Sequence, residues 1–282
     1  MNALYLLGAK DPEMDRLDEV LESRGQSFDY ATKNGRRVSP ANAYAADPVP
    51  VDDYDMIIYI ECRTIPEPKG IDSKIIDHHR EGDPGYNMGP KDYWEASSLG
   101  QLFKQLNIVP TRRDLVVAAM DHCFSAALRG ECPDHTTKGS YITKEEVLDL
   151  KVAEIAEGSN TDKAYVRQRV RHFGELLSFA PSVIIGSEII KDLRHKYLGE
   201  GYSLDLLSAQ IAVALSGKAA LLCNSDPNGK SKKITIYGNI RPETITAFIE
   251  RWAPSQGLTD IYGVPHRGYA GAFERLKMAS GK

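Results

Sequence analysis

An aspartate followed by two histidines, Asp77-His78-His79, is the group of residues in this chain best suited to do chemistry. It comes directly after the apolar pair Ile75-Ile76, which indicates the end of a buried β-strand. Open parallel sheets place their sites at the carboxyl ends of the strands. An acid and two imidazoles at such an end can bind a metal ion or transfer protons, so we expect a functional site here.

Three further apolar segments also run into side chains that can bind a metal ion. They are Ala3–Leu7 before Glu13 and Asp15, Met56–Ile60 before Glu61, and residues 115–120 before Asp121 and His122. Carboxylates and imidazoles together suit divalent ions such as manganese and zinc. For Glu13 and Asp15 an alternative is that they only interact with the dipole of a helix N-terminus, and for Glu61 that it is a surface acid.

A basic residue follows one of these acids. Arg63 lies two residues after Glu61, and its planar guanidinium can bind a phosphate group at the same strand end. The histidines at positions 135, 172 and 195 lie in polar or basic segments, and we expect them at the surface.

The spacing of apolar residues predicts alternating strands and helices over about the first 130 residues. Strands are expected at Ala3–Leu7, Met56–Ile60 and residues 74–76, and helices at residues 15–23, 97–106 and 115–120. Ser97 or Ser98 is the expected N-terminal cap of the second helix. This alternation predicts an α/β fold with a doubly wound parallel sheet in the N-terminal domain.

The length of 282 residues favours two domains. The first is expected to span residues 1–198 and to include a helical connector, with helices at residues 145–157 and 164–179. Gly199-Glu200-Gly201 is the expected linker. A second, smaller α/β domain is expected at residues 199–282. Its predicted helices are residues 204–215 and 241–252, and its strands are residues 219–223 and 233–237, joined by a turn at residues 227–229.

Composition and charge exclude several classes of protein. A net charge of −4 and a pI near 6.0 argue against a general binder of duplex DNA. No apolar run approaches the roughly 20 residues that cross a bilayer, so no membrane association is expected. The N-terminus lacks the basic start of a signal peptide. The four cysteines include no CxxC pair, which indicates neither a zinc knuckle nor a disulfide framework. We therefore expect a cytoplasmic protein.

The order of the motifs resembles the DHH phosphoesterase superfamily, which includes RecJ-like exonucleases, oligoribonucleases and 3′-phosphoadenosine-5′-phosphate phosphatases. Asp77-His78-His79 is similar to the motif that names the family, and Asp121 to its last metal-binding acid. Residues 95–98 resemble the start of the helix after that motif. Residues 263–272, which include His266 and Arg267, resemble the glycine-rich substrate motif of the DHHA1 domain. The resemblance covers nearly the whole chain and implies a DHH domain followed by a DHHA1 domain.

The resemblance also implies a chemistry, in which one or two Mn²⁺ ions assist the attack of water on phosphorus. The metal ligands that it implies here are Glu13, Asp15, Glu61, His78 and Asp121, with Glu61 bridging two ions. Asp77, His78 and His79 are the implied catalytic residues, with Asp77 orienting the imidazoles. The expected substrate contacts are Arg63, His79, His266 and Arg267, the last two across an interdomain cleft.

The sequence departs from the family pattern at several positions. Ala9 stands where the family has a histidine, Glu13 and Glu61 replace aspartates, and His122 replaces a threonine. Gly263-Val264-Pro265 stands in place of a glycine triplet, and residues 237–239 in place of an arginine–serine strand. Ala9 in particular cannot bind a metal ion.

We therefore expect a metal-dependent phosphohydrolase that acts on a small nucleotide or a short single-stranded oligonucleotide. The expected partner is a small phosphorylated or nucleotide substrate, and a homodimer is possible. The alternative is a diverged, non-hydrolytic relative that binds a nucleotide or a single metal ion as a sensor or partner protein, which the alanine at position 9 supports. A third reading is another phosphate-ester chemistry that uses one metal ion and His122.

Overall fold

The computed structural model describes residues 2–40, 42–179, 183–186, 206–225 and 231–275. The chain divides into two compact units. Unit 1 contains Met1–His122 and Cys132–Ile142, and unit 2 contains Cys123–Glu131 and Thr143–Lys282. The predicted α/β class is confirmed, because one sheet is parallel throughout and helices accompany both sheets. None of the described helices is long and apolar enough to cross a membrane.

Unit 1 is built on a four-stranded sheet with the order β2-β1-β5-β6, in which all neighbouring strands are parallel. Its strands are β1 (Ala3–Leu7), β2 (Ser27–Tyr30), β5 (Met56–Ile60) and β6 (Asp72–Ile76), and β3 (Thr32–Lys33) and β4 (Arg36–Arg37) form a separate antiparallel pair. Its helices are α1 (Pro12–Ser23), α2 (Tyr93–Ala96), α3 (Ser98–Leu106) and α4 (Arg112–Leu128), the last continuing into residues of unit 2. The three predicted strands are therefore adjacent in the sheet.

The register of the sheet aligns the carboxyl ends of three strands. Leu7 of β1 pairs with Ile60 of β5, and Ile60 pairs with Ile76 of β6. Residues 57–60 of β5 are all buried, as is usual for a central strand of a parallel sheet. The residues that follow each strand therefore meet at one edge of the sheet.

The helices that begin at this edge have defined N-terminal caps. Asp11 accepts a hydrogen bond from the backbone nitrogen of Met14 at 2.7 Å, and Pro12 is the first residue of α1. Helix α1 thus begins three residues before the predicted start. The predicted cap of α3 is confirmed at Ser97, whose Oγ accepts from the backbone nitrogen of Gly100 at 3.0 Å.

Unit 2 contains a five-stranded sheet with the order β10-β11-β9-β8-β7. Its strands are β7 (Val183–Gly186), β8 (Ala219–Ser225), β9 (Ser231–Gly238), β10 (Thr259–Val264) and β11 (Tyr269–Arg275). Only β7 and β8 pair in parallel among the described strands of this sheet. Its helices are α5 (Lys144–Gly158), α6 (Lys163–Phe179), α7 (Leu206–Ser216), α8 (Pro242–Ala247) and α9 (Ala253–Ser255), with a π-helical stretch at Phe248–Trp252.

The predicted division of the chain differs from the observed grouping. Helices α5 and α6 belong to unit 2, because Phe173 and Leu176 of α6 share a buried cluster with Ile211 of α7 and Leu222 of β8. The sequence placed these helices with the first domain. The predicted boundary at residues 198/199, the linker at 199–201 and the turn at 227–229 lie outside the described residues.

Gly85, in the loop after β6, offers a test of how tightly unit 1 is packed next to Asp77-His78-His79. A methyl group at Gly85 would lie 1.9 Å from the carbonyl oxygen of Ala96 and 2.8 Å from Cβ of His78. We expect Gly85→Ala to destabilise unit 1 by about 1–3 kcal/mol, since backbone must move to make room. Gly89→Ala is the control, because a methyl group there meets nothing within 4 Å. Equal melting temperatures for the two variants would contradict the packing.

Candidate metal centre

Three carboxylates and one imidazole converge at the carboxyl edge of the parallel sheet. Oxygens of Glu13, Glu61 and Asp121 and a nitrogen of His78 all lie within 4.8 Å of one another. Nε2 of His78 is 3.1 Å from Oε1 of Glu61, 3.1 Å from Oδ2 of Asp121 and 4.0 Å from Oε2 of Glu13. A second group, Glu61, His78 and His79, overlaps the first. We call the four-residue group the carboxylate cluster; its donor atoms could hold a metal ion.

Three members of the carboxylate cluster are shielded from water, whereas the side chain of Asp121 is 22% exposed. Glu13 and His78 are fully buried, and Glu61 is 7% exposed. Oε1 of Glu13 accepts from the backbone nitrogen of Leu99 at 3.0 Å, whereas its Oε2 is buried and accepts no hydrogen bond from the described residues. A buried carboxylate oxygen without a donor is costly, and a bound cation would remove that cost.

The pKa values reflect this crowding. Burial holds the pKa of Glu13 well above its ordinary value, and the negative charges of Asp121 and Glu61 raise it further. Burial also raises the pKa of Glu61, but the nearby charge of His79 and the hydrogen bond and charge of His78 outweigh burial and lower it overall. The cluster therefore shares its negative charge unequally, with Glu61 the better ionised acid.

The backbone at Glu61 is held in an uncommon conformation. Its φ is +53°, which non-glycine residues rarely adopt and which occurs preferentially at functional sites. Oε1 of Glu61 accepts from the hydroxyl of Ser98 at 2.7 Å, and its backbone nitrogen donates to the carbonyl of Ile76 at 3.1 Å. A methyl group at Gly8 would lie 2.6 Å from the carbonyl oxygen of Glu61, so only glycine fits at the end of β1. Glu61 is thus fixed from both neighbouring strands.

Asp77 lies beneath the two histidines and is fully buried. Its Oδ1 accepts from the backbone nitrogens of His78 at 2.7 Å and His79 at 3.1 Å and lies 3.1 Å from Nδ1 of His79. The hydroxyl of Tyr44 donates to Oδ2 at 3.0 Å. Burial raises the pKa of Asp77, but the hydrogen bonds and charge of His79 outweigh it and lower the pKa to about 2. Asp77 therefore positions the His79 ring and the backbone of His78.

Asp15 is the predicted metal ligand that the fold does not bring to the carboxylate cluster. Its side chain is 47% exposed and lies 3.8 Å from the ammonium of Lys10. The prediction that Glu13 and Asp15 face one pocket assumed an extended chain. Both lie in α1, where residues two apart point to different sides of the helix. Asp11 caps this helix, and burial and the charges of Asp121 and Glu61 raise its pKa well above the ordinary value.

His79 lies beside the carboxylate cluster, with its Nδ1 3.9 Å from Oε2 of Glu61, and Arg63 lies beside Asp77. The guanidinium of Arg63 is 3.9 Å from Oδ2 of Asp77 and 3.5 Å from Oδ1 of Asp83. The side chain of His79 is 35% exposed, unlike that of His78. His79 and Asp121, whose side chain is 22% exposed, are therefore the members of the two groups that solvent reaches most.

His266 and Arg267 belong to unit 2. They lie in a short 3₁₀ turn, Pro265–Arg267, between β10 and β11. Arg267 is 7% exposed, and its guanidinium lies 5.2 Å from the ring centroid of Tyr269. Their role as substrate contacts stays a prediction.

His122, which the sequence offered as a side chain that can bind a metal ion, is not a member of the carboxylate cluster but contacts His78. Its Nδ1 is 2.7 Å from Nδ1 of His78, and its Nε2 is 3.0 Å from the carbonyl oxygen of Met88. The two rings stack with a centroid distance of 5.0 Å. The signal for it in the sequence was its position directly after Asp121.

The raised pKa of Glu13 predicts how stability depends on pH without metal. The folded-state pKa lies above the ordinary value of 4.5, so the folded protein binds a proton at Glu13 more tightly than the unfolded chain does. The stability that this proton contributes is fully present below pH 4.5 and is lost as the pH rises through the folded-state pKa. The neutral substitution Glu13→Gln should therefore raise the melting temperature of the metal-free protein at about pH 8, and the gain should vanish towards pH 4.5. The same variant should bind Mn²⁺ more weakly.

Scanning calorimetry in a chelator across this pH range measures the effect. The control is Glu22→Gln, an exposed residue of the same helix. A metal-free Glu13→Gln protein that melts below wild type at the higher pH would show that the carboxylate is not under electrostatic strain.

Comparisons with known proteins place the chain far from characterised sequences. No protein-family model matches it, and a search of curated proteins found no match. Among solved structures it is similar to the pGpG-specific phosphodiesterase PggH from Vibrio cholerae, with 12% sequence identity and a TM-score of 0.43, over 98% of this chain and 94% of that chain. A likeness this distant assigns neither a family nor an activity.

Proposed function

We propose that the chain is a metal-dependent phosphohydrolase that acts on a small nucleotide or a short single-stranded oligonucleotide. The observation that carries the proposal is the position of Nε2 of His78, which faces the oxygens of Glu61 and Asp121 at 3.1 Å and of Glu13 at 4.0 Å. A nitrogen and three carboxylates in a buried position form a donor set suited to Mn²⁺ and related divalent ions.

The residues that would hold such an ion are Glu13, Glu61, His78 and Asp121. A divalent ion there would act as a Lewis acid on a phosphoryl oxygen and offset the charge that develops on it. Glu61 also belongs to the overlapping group with His79, which supports a bridging role for its carboxylate if a second ion binds. The substitutions of aspartate by glutamate at positions 13 and 61 therefore keep a usable donor set.

Side chains beside the carboxylate cluster would bind and orient the phosphate of the substrate. In its imidazolium form His79, which donates from Nδ1 to Asp77, can also donate from Nε2 to a phosphate oxygen that approaches from solvent. Arg63 lies beside Asp77 and Asp83, so its guanidinium could exchange one of these weak contacts for a phosphate. The net charge of −4 favours a small substrate over long nucleic acid, which needs a basic footprint.

One alternative function has an observation in its favour. Asp15 points away from the carboxylate cluster, and Ala9 offers no ligand, so the best-formed group has four ligands for one ion. A protein with a single ion could bind a nucleotide without hydrolysing it and act as a sensor or partner protein.

Metal analysis of the purified protein and a phosphate-release assay separate these functions. The assay compares mononucleotides, dinucleotides and short single-stranded oligonucleotides with duplex DNA, with and without Mn²⁺. We expect bound divalent ions and Mn²⁺-dependent hydrolysis of the small substrates. His78→Ala should lower kcat/KM by at least about 100-fold, because it removes the nitrogen at the centre of the cluster.

The matched control is His135→Ala, which removes a histidine of the same unit that lies 3.8 Å from Glu95 and outside the cluster. Hydrolysis that persists in His78→Ala, or in a chelator, would contradict the proposal. Tight binding of one ion and a nucleotide without turnover would favour the sensor function instead.

A further inference from the structure

Two buried histidines and a backbone carbonyl form a chain of hydrogen bonds that ends at the carboxylate cluster. His122 is 1% exposed and His78 is fully buried. The contacts run from the carbonyl of Met88 to Nε2 of His122 at 3.0 Å and from Nδ1 of His122 to Nδ1 of His78 at 2.7 Å. The far nitrogen of His78, Nε2, is the atom that the three acids surround.

The chemistry of each partner fixes the direction of these bonds. A backbone carbonyl can only accept, so Nε2 of His122 must carry the proton that is donated to Met88. A neutral imidazole has one donor and one acceptor nitrogen, which makes Nδ1 of His122 the acceptor. The 2.7 Å contact is then a bond donated by Nδ1 of His78. A neutral His78 with its proton on Nδ1 presents the lone pair of Nε2 to the carboxylate cluster.

We propose that His122 is a positioning residue that holds the proton of His78 on Nδ1 and so keeps Nε2 ready to bind a divalent ion. This inference rests on the metal site of the proposed function and adds a role that no ligand of the cluster fulfils. Hydrogen bonds to the second nitrogen of a metal-binding histidine set its tautomer and ring orientation.

The other tautomer of His78, with its proton on Nε2, shows why His122 matters for metal binding. With the proton on Nε2, His78 would donate to Glu61 or Asp121, since both oxygens lie 3.1 Å away. In that arrangement the proton on Nε2 of His78 would be hydrogen-bonded to one of these carboxylates, and Nε2 would have no lone pair for an ion. An ion would then have to displace a proton before it could bind. His122 lowers the free energy of the metal-ready tautomer relative to this blocked one.

The proton positions can be measured directly. Long-range ¹H–¹⁵N correlation spectra of the wild-type protein, metal-free and with diamagnetic Zn²⁺, should show the proton of His122 on Nε2 and a proton of His78 on Nδ1. With Zn²⁺, Nε2 of His78 should carry no proton. A proton on Nδ1 of His122 in the Zn²⁺-bound protein would overturn the proposal. The metal-free spectrum tests the orientation even if the protein proves not to hydrolyse phosphate esters.

Two substitutions at position 122 test the consequence for binding. His122→Leu removes both hydrogen bonds and should weaken Mn²⁺ binding, measured by calorimetry, by about 10- to 100-fold. His122→Gln supplies one acceptor and one donor, so it should restore most of the affinity. His135→Leu is the control for loss of an imidazole from unit 1 and should bind as wild type.

The pattern across the variants separates a positioning role from a packing role. Equal loss in His122→Leu and His122→Gln, with folding intact by circular dichroism, would mean that only the shape of the ring matters and would overturn the proposal. Wild-type affinity in His122→Leu would overturn it as well. If the wild-type protein binds neither Mn²⁺ nor Zn²⁺, the proposed function itself fails, which the binding curve shows independently of any variant.

Discussion

The mutual repulsion of buried carboxylates around one histidine nitrogen is the constraint on which the rest of unit 1 depends. Glu13, Glu61 and Asp121 are held near His78 although burial and the charges of Asp121 and Glu61 oppose ionisation of Glu13. Acids crowded in this way stay together only when the surrounding structure holds them in place. The aligned parallel strands position the backbone, the backbone nitrogen of Leu99 donates to Glu13, and the hydroxyl of Ser98 donates to Glu61. The crowded acids lower the free energy of unfolding at this edge of the sheet, and the same crowding gives a donor set that could hold a cation.

The sequence predicted the parts of this arrangement that follow from strand ends. Apolar runs mark β1 and β5, a weaker run marks the end of β6, and parallel strands must bring the residues after them to one edge. It did not reveal β2, because Ser27–Tyr30 alternates with polar residues and is short. It did not show that Asp15 lies apart from the other acids, since the direction of that side chain depends on where α1 begins, and the cap at Asp11 sets this start.

Other parts of the candidate site depend on tertiary contacts that no local pattern encodes. The carbonyl of Met88 meets His122 across 34 residues, and Tyr44 meets Asp77 across 33. The grouping of α5 and α6 with unit 2 depends likewise on a shared apolar cluster, whereas the sequence shows only that these helices have apolar faces. The acids and histidines that converge at the strand ends could thus be predicted from residue type and order, but the residues that orient them could not.

The different surroundings of His78 and His79 limit changes in the number of residues in this part of the chain. His78 is buried among acids and His79 is partly exposed, although they are consecutive residues at the end of β6. Their ring centroids are 4.3 Å apart and both rings approach Glu61, with Nε2 of His78 at 3.1 Å and Nδ1 of His79 at 3.9 Å from its oxygens. Because Ile60 pairs with Ile76, an insertion or deletion between Asp72 and His79 would shift both rings relative to Glu61, which follows β5. The spacing inside this strand is therefore under a stricter constraint than the identity of most of its residues.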